Sequence, residues 1–112
     1  MKYLVAIIQP SRLENVQEGL SSLGISGMTV SEVRGYGRQR GKTEIYRGAE
    51  YNIDFLPKIK IEIAIEDSTA DKAVEFISET CNSGRIGDGK IFVMPLENAT
   101  RIRTGEHGQS AL

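Results

Sequence analysis

The chain opens on an apolar, β-branched run from Tyr3 to Ile8, which reads as a strand covered on both faces. Pro10 ends it, because proline has no amide to give a sheet. Ser11-Arg12-Leu13-Glu14 follows and fits a capping box, with the Ser11 hydroxyl and the Glu14 carboxylate satisfying amides at a helix start. Leu13, Val16, Leu20 and Leu23 then recur at helical spacing and give one apolar stripe. Gly24 suits the position just past that helix, where a positive φ costs glycine little. Met28 to Arg34 reads as a second strand.

The second half repeats the plan. Ile59, Ile61, Ile63 and Ile65 alternate with Lys60, Glu62, Ala64 and Glu66, the pattern of a strand with one apolar and one mostly polar face. Ser68 or Thr69 caps a second helix whose inner stripe is Ala70, Val74, Ile77 and Cys81. Gly84 again suits a helix end. Ile91 to Met94 is a fourth strand, ended by Pro95.

Strand, helix, strand, twice over, predicts an α+β, ferredoxin-like βαββαβ domain. Right-handed crossovers put both helices on one face of the sheet. The other face, lined by part of the Tyr3–Ile8 run, has no helix to cover it, and a homo-oligomer is the simplest remedy. The 112 residues suit a single domain spanning 1–112, and one this small gains from burying surface in an assembly.

Residues 37–54 link the second and third strands and far exceed the roughly 2–5 residues of an ordinary hairpin connection. They carry Arg38, Arg40, Lys42, Glu44, Arg47, Glu50 and Asp54 beside Tyr46 and Tyr51. This stretch is read as a long exposed partner-binding loop, against the plainer alternative of a passive insertion. Residues 104–112 are read as a C-terminal loop or tail.

Charge is nearly balanced, with 14 basic and 15 acidic residues, which argues against a dedicated nucleic-acid binder. Leu4 to Ile8 is too short to cross a membrane, and the N-terminus lacks a signal-peptide cleavage pattern. One cysteine allows no internal disulfide, so a reducing cytoplasm is expected.

Gly84-Arg85-Ile86-Gly87-Asp88-Gly89-Lys90 imitates the first part of a P-loop. A P-loop needs Ser or Thr next, where Ile91 stands. It also runs from strand into helix, whereas this segment runs from helix into strand. Phosphate binding survives that rejection. Gly87 and Gly89 leave amides unshielded for an anion nest, and Lys90 adds a charge. Arg101 and Arg103 alternate, so on an extended segment both would face one side, and guanidinium forks match phosphate oxygens. Gly35-Tyr36-Gly37-Arg38 offers another permissive turn with a cation. Each cluster alone fits a solvated basic surface; together they point to an anion without naming it.

Catalysis is not indicated. His107 is the only histidine, and no second histidine or cysteine pair supports a metal cage. Cys81 falls on a helix stripe and reads as core. Tyr36, Tyr46 and Tyr51 read as packing residues, although Tyr51, in a polar loop, could equally be open to modification.

At these residues the sequence resembles the PII nitrogen-regulatory signal proteins, from Met1 to about Gly105. Tyr46-Arg47-Gly48-Ala49-Glu50-Tyr51 resembles the family's loop signature around its nucleotidylated tyrosine. Ser83 to Val93 resembles its second signature. Gly27 to Val33, Gly37-Arg38-Gln39, Asp54 to Lys58 and Arg101 to Glu106 also match.

The resemblance implies a ferredoxin-like homotrimer, not an enzyme, with ATP and ADP competing for sites between subunits. Gly87, Asp88, Gly89 and Lys90 align with the phosphate-binding turn. Arg101 and Arg103 align with arginines reaching the phosphates, and Gly37 and Arg38 lie at the loop base beside them. Thr29, Glu62 and Ala64 align with positions around adenine. Gln39 aligns with the residue that helps hold Mg2+, and Lys58 with the partner of a 2-oxoglutarate carboxylate; together they form the 2-oxoglutarate site.

Implied partners are a nucleotidyltransferase acting on Tyr51, ammonium channels, and enzymes or kinases of nitrogen metabolism. Gln9 stands where the family commonly has a basic residue, Ser11 where phenylalanine is common, and Ala64 where valine is frequent. Ala49 replaces a serine that some relatives phosphorylate. A metal-tolerance trimer of similar fold is the alternative reading, and a slow ATPase a third.

Overall fold

The computed structural model describes residues 1–37, 43–46, 49–52 and 55–112, with 43–46 and 49–52 described as backbone. β1 spans Lys2–Ile8, α1 Leu13–Ser22, β2 Thr29–Gly35, β3 Thr43–Tyr46, β4 Ala49–Asn52, β5 Leu56–Ile65, α2 Asp67–Cys81 and β6 Gly89–Pro95. The main sheet has the order β2-β5-β1-β6, and every pairing in it is antiparallel. This is the ferredoxin-like arrangement that the doubled strand–helix–strand pattern predicts.

The alternation in β1 and β5 decides where the core lies. Leu4, Ala6 and Ile8 stand opposite Ile63, Ile61 and Ile59, and all six are buried. They form one cluster with Val16 and Leu20 of α1 and Ala70, Ala73, Ile77 and Cys81 of α2. Both helices therefore cover one face. Tyr3, Val5 and Ile7 point the other way, beside Phe92 and Met94 of β6, which are 47% and 40% exposed. The first strand is thus covered by helices on one face only.

Three local expectations give way to other solutions. No side chain caps α1. Pro10–Arg12 forms a 3-10 turn first, with Arg12 N–H donating to the Gln9 carbonyl over 3.0 Å. Proline's fixed φ favours the first position of a helical turn, so the turn begins ahead of Ser11 and the Ser11–Glu14 box does not form. Likewise α2 begins at Asp67 after Glu66, without a side-chain cap; Ser68 and Thr69 lie inside its first turn.

Leu23 is 37% exposed, because α1 closes before it. Ile25 N–H donates to the Leu20 carbonyl and Gly24 N–H to the Ser21 carbonyl, both at 3.0 Å. Gly24 has φ 84°, completing a Schellman ending in which Ile25 takes the apolar contact. Within residues 37–54, β3 and β4 pair, with Tyr51 opposite Glu44.

Candidate functional site

The segment Gly84–Lys90 descends from the end of α2 into β6 as a glycine turn. Gly84, Gly87 and Gly89 have φ of 77°, 102° and 123°, a region that favours glycine. At Gly89 a Cβ would lie 2.0 Å from the Ile7 carbonyl oxygen, so β1 and β6 approach too closely there for any side chain. The helix-to-strand direction confirms that the segment is not a P-loop.

Asp88 organises the turn from within. Its carboxylate accepts from the Ser83 hydroxyl, from Ser83 N–H at 2.7 Å and from Gly84 N–H at 3.1 Å. The Ser83 bonds lead the forces that hold this carboxyl below the usual carboxylate range, since donors favour the charged form. Asp88 therefore faces back to the end of α2.

Gly87 turns its carbonyl inward. It accepts from Lys58 Nζ at 2.9 Å and from Gln9 Nε2 at 2.8 Å. Lys58 is buried, 8% exposed. Loss of solvation lowers its pKa, and the Asp88 charge opposes that fall. A cleft of about 500 Å³ gathers Gly37, Lys58, Gly87, Asp88, Gly89 and Lys90. Near it, Tyr36 packs on Phe55 with ring centroids 5.7 Å apart.

A second cleft, of about 540 Å³, is lined by Tyr3, Thr29, Glu62, Ala64 and Leu112. Strand register brings these together: Thr29 is opposite Glu62, Tyr3 opposite Ala64 and Val5 opposite Glu62. All lie on the face without helices. The Tyr3 phenol is pushed up by burial first, then by its hydrogen bond to Glu62 and the charge there. Lys60 stands 3.7 Å from the same carboxylate.

Arg101 and Arg103 line neither cleft. The extended segment expected for them is instead a turn. Arg101 N–H donates to the Glu106 carbonyl at 2.9 Å and Gly105 N–H to the Arg101 carbonyl at 2.7 Å. Arg101 Nη2 reaches the Leu112 carbonyl oxygen at 3.1 Å. In the tail, Thr100 Oγ1 and His107 Nδ1 lie 3.1 Å apart. Arg38 and Gln39 fall outside the described residues, and Tyr51 is described only as backbone in β4. Sequence reasoning missed the pairing of Gln9 with Gly87, because the partners are 78 positions apart and no local pattern links them.

Residues 1–106 match the family described as Nitrogen regulatory protein P-II. The chain belongs to the P-II family. It is 56% identical to Nitrogen regulatory protein P-II of Haemophilus influenzae over the whole length of both chains. The same identity and coverage hold for Nitrogen regulatory protein P-II of Azospirillum brasilense. Nitrogen regulatory protein GlnK of Escherichia coli is 54% identical, again over both full lengths. Within this P-II chain the predicted ligand-site residues that are described thus divide between the glycine-turn cleft and the sheet-face cleft, with Arg101 and Arg103 apart from both.

Proposed function

We propose that this nitrogen-regulatory signal protein senses ATP against ADP, together with 2-oxoglutarate, and reports to partners through residues 37–54. The supporting observation is the convergence of Lys58, Lys90 and the positive-φ Gly87–Gly89 turn on one cleft that also includes Gly37, at the base of that stretch. Three cations, Lys58, Arg85 and Lys90, and the permissive backbone at Gly87 and Gly89 suit an anion with several oxygens. The chain acts as a regulator rather than an enzyme.

In this reading Gly87, Gly89 and Lys90 meet the phosphates, while Asp88 shapes the turn that presents them. Thr29, Glu62 and Ala64 surround the adenine, and Arg38, Arg101 and Arg103 complete the phosphate contacts. Lys58 meets a carboxylate of 2-oxoglutarate, and Gln39 lends its carbonyl to Mg2+. Magnesium, a hard cation that takes oxygen ligands and often bridges phosphates, supplies charge neutralisation when bound. The division of these residues between separate places in one chain favours sites completed by a neighbouring copy in a homotrimer, which also covers Phe92 and Met94.

The partners proposed are a nucleotidyltransferase that modifies Tyr51, and an ammonium channel or enzymes and kinases of nitrogen metabolism. The setting is the cytoplasm, with reversible recruitment to a membrane channel. Among the described residues no helix is long and apolar enough to cross a membrane. Calorimetric titration of 2-oxoglutarate into the protein with Mg-ATP and then with Mg-ADP tests the central claim. Tight binding with ATP and weak binding with ADP is expected, because ADP lacks the γ-phosphate. Equal affinity in both overturns it.

A further inference from the structure

The Gly87 carbonyl oxygen holds two donors at once, Gln9 Nε2 at 2.8 Å and Lys58 Nζ at 2.9 Å. A carbonyl has two lone pairs, so both are engaged. One donor follows the end of β1 and the other sits in β5. The carbonyl belongs to the peptide joining Gly87 to Asp88, and no peptide bond among the described residues is cis. In a planar trans peptide the C=O and N–H point in opposite directions. Fixing the carbonyl on Gln9 and Lys58 therefore turns the Asp88 N–H away from them and sets the plane of the turn.

The two donors respond differently to an anion. Lys58 carries a charge and lines the same cleft as Lys90, so an incoming carboxylate attracts its ammonium. The Gln9 carboxamide is neutral, so the anion pulls on it far more weakly. A carbonyl held by lysine alone would lose its donor when the anion arrived, and the peptide plane could rotate.

We propose that Gln9 is a positioning residue of the glycine turn, holding the Gly87 carbonyl in place when Lys58 turns to a dicarboxylate. Binding at Lys58 then leaves the phosphate-facing amides in register. The inference rests on the reading of Lys58 as an anion partner.

Gln9→Met keeps the length of the side chain and removes its donor. Calorimetry on the full chain should show ATP binding alone within about twofold of wild type, because Lys58 still holds the carbonyl. The factor by which Mg-ATP tightens 2-oxoglutarate should fall roughly threefold to tenfold, the worth of one hydrogen bond. An unchanged factor, or an equal loss for ATP alone, overturns the proposal.

A second arm needs no ligand. The backbone order parameter of Asp88, read by 15N relaxation, should stay near wild type in Gln9→Met and in Lys58→Met, and fall in the double variant. A double variant as ordered at Asp88 as wild type also overturns it. If the wild-type chain fails to bind 2-oxoglutarate, the reading of Lys58 falls, and the relaxation arm alone decides whether Gln9 clamps the turn.

Discussion

The Lys58 ammonium donates to the Gly87 carbonyl oxygen over 2.9 Å, joining the start of β5 to the turn that precedes β6. These residues are 29 positions apart, and the antiparallel sheet brings them together. The bond makes Lys58 part of two systems, the backbone of the glycine turn and the cleft that the turn lines.

Lys58→Ala should therefore weaken 2-oxoglutarate binding in the presence of Mg-ATP by tenfold or more. A charge-assisted hydrogen bond is worth about 1.5–3 kcal/mol, and about 1.4 kcal/mol is a factor of ten. ATP alone should lose less, since Lys90 and the turn amides remain. Wild-type 2-oxoglutarate affinity in the variant would contradict the assignment.

Asp88 gives a pH-dependent prediction. Its carboxyl is held below the usual range chiefly by Ser83. A carboxyl whose folded pKa is depressed stabilises the fold above its unfolded value, about 3.9, and that contribution is lost as pH falls through the folded value. Asp88→Asn should lower Tm at neutral pH, and the gap should close below about pH 3.9. Thermal melts across that range check it; a gap that persists in acid would show that lost packing, not charge, is responsible.

Gly89→Ala should destabilise the fold by about 2 kcal/mol or more. Its φ of 123° is strained for any L residue, and the new Cβ would meet the Ile7 carbonyl at 2.0 Å. Gly24→Ala is the control: φ is 84° but nothing lies within 4 Å, so about 1 kcal/mol is expected. Denaturant titration of both variants should show Gly89→Ala as clearly the worse.

Gly19 makes the contact between helices. A Cβ there would lie 1.8 Å from Phe76 Cζ. Alanine in a helix interior normally gains about 1 kcal/mol over glycine, but Gly19→Ala should lose stability because the ring must move. In Phe76→Ala the same substitution should become favourable. A double-mutant cycle by chemical denaturation should return a coupling of about 1 kcal/mol or more; additivity would show that the ring gives way freely.

How much of this was legible beforehand depends on the range of the interaction. Period-two alternation at Ile59–Ile65 and the helical stripe from Leu13 to Leu20 reveal the elements, because each element satisfies its own backbone and buries one face. Gly24 and Gly84 were legible for the same reason: a positive φ near a helix end is a local demand. The caps were misread because Pro10 and Glu66 offered equally local starts that a pattern cannot rank. The pair β3–β4 lay hidden in a charged stretch with little alternation.

Sequence by itself determined the fold class, the side of β5 that enters the core, and the family; it read β1 as covered on both faces, where the helices cover only one. These follow from periodicity and from short motifs, whose constraints act over a few residues. Only the tertiary structure decided that Gly87 faces Gln9 and Lys58, that Asp88 spends its carboxylate on the end of α2, and that Thr29 stands opposite Glu62. Those relationships join residues far apart in the chain through strand register, and register is set by the packing of the whole sheet against its helices.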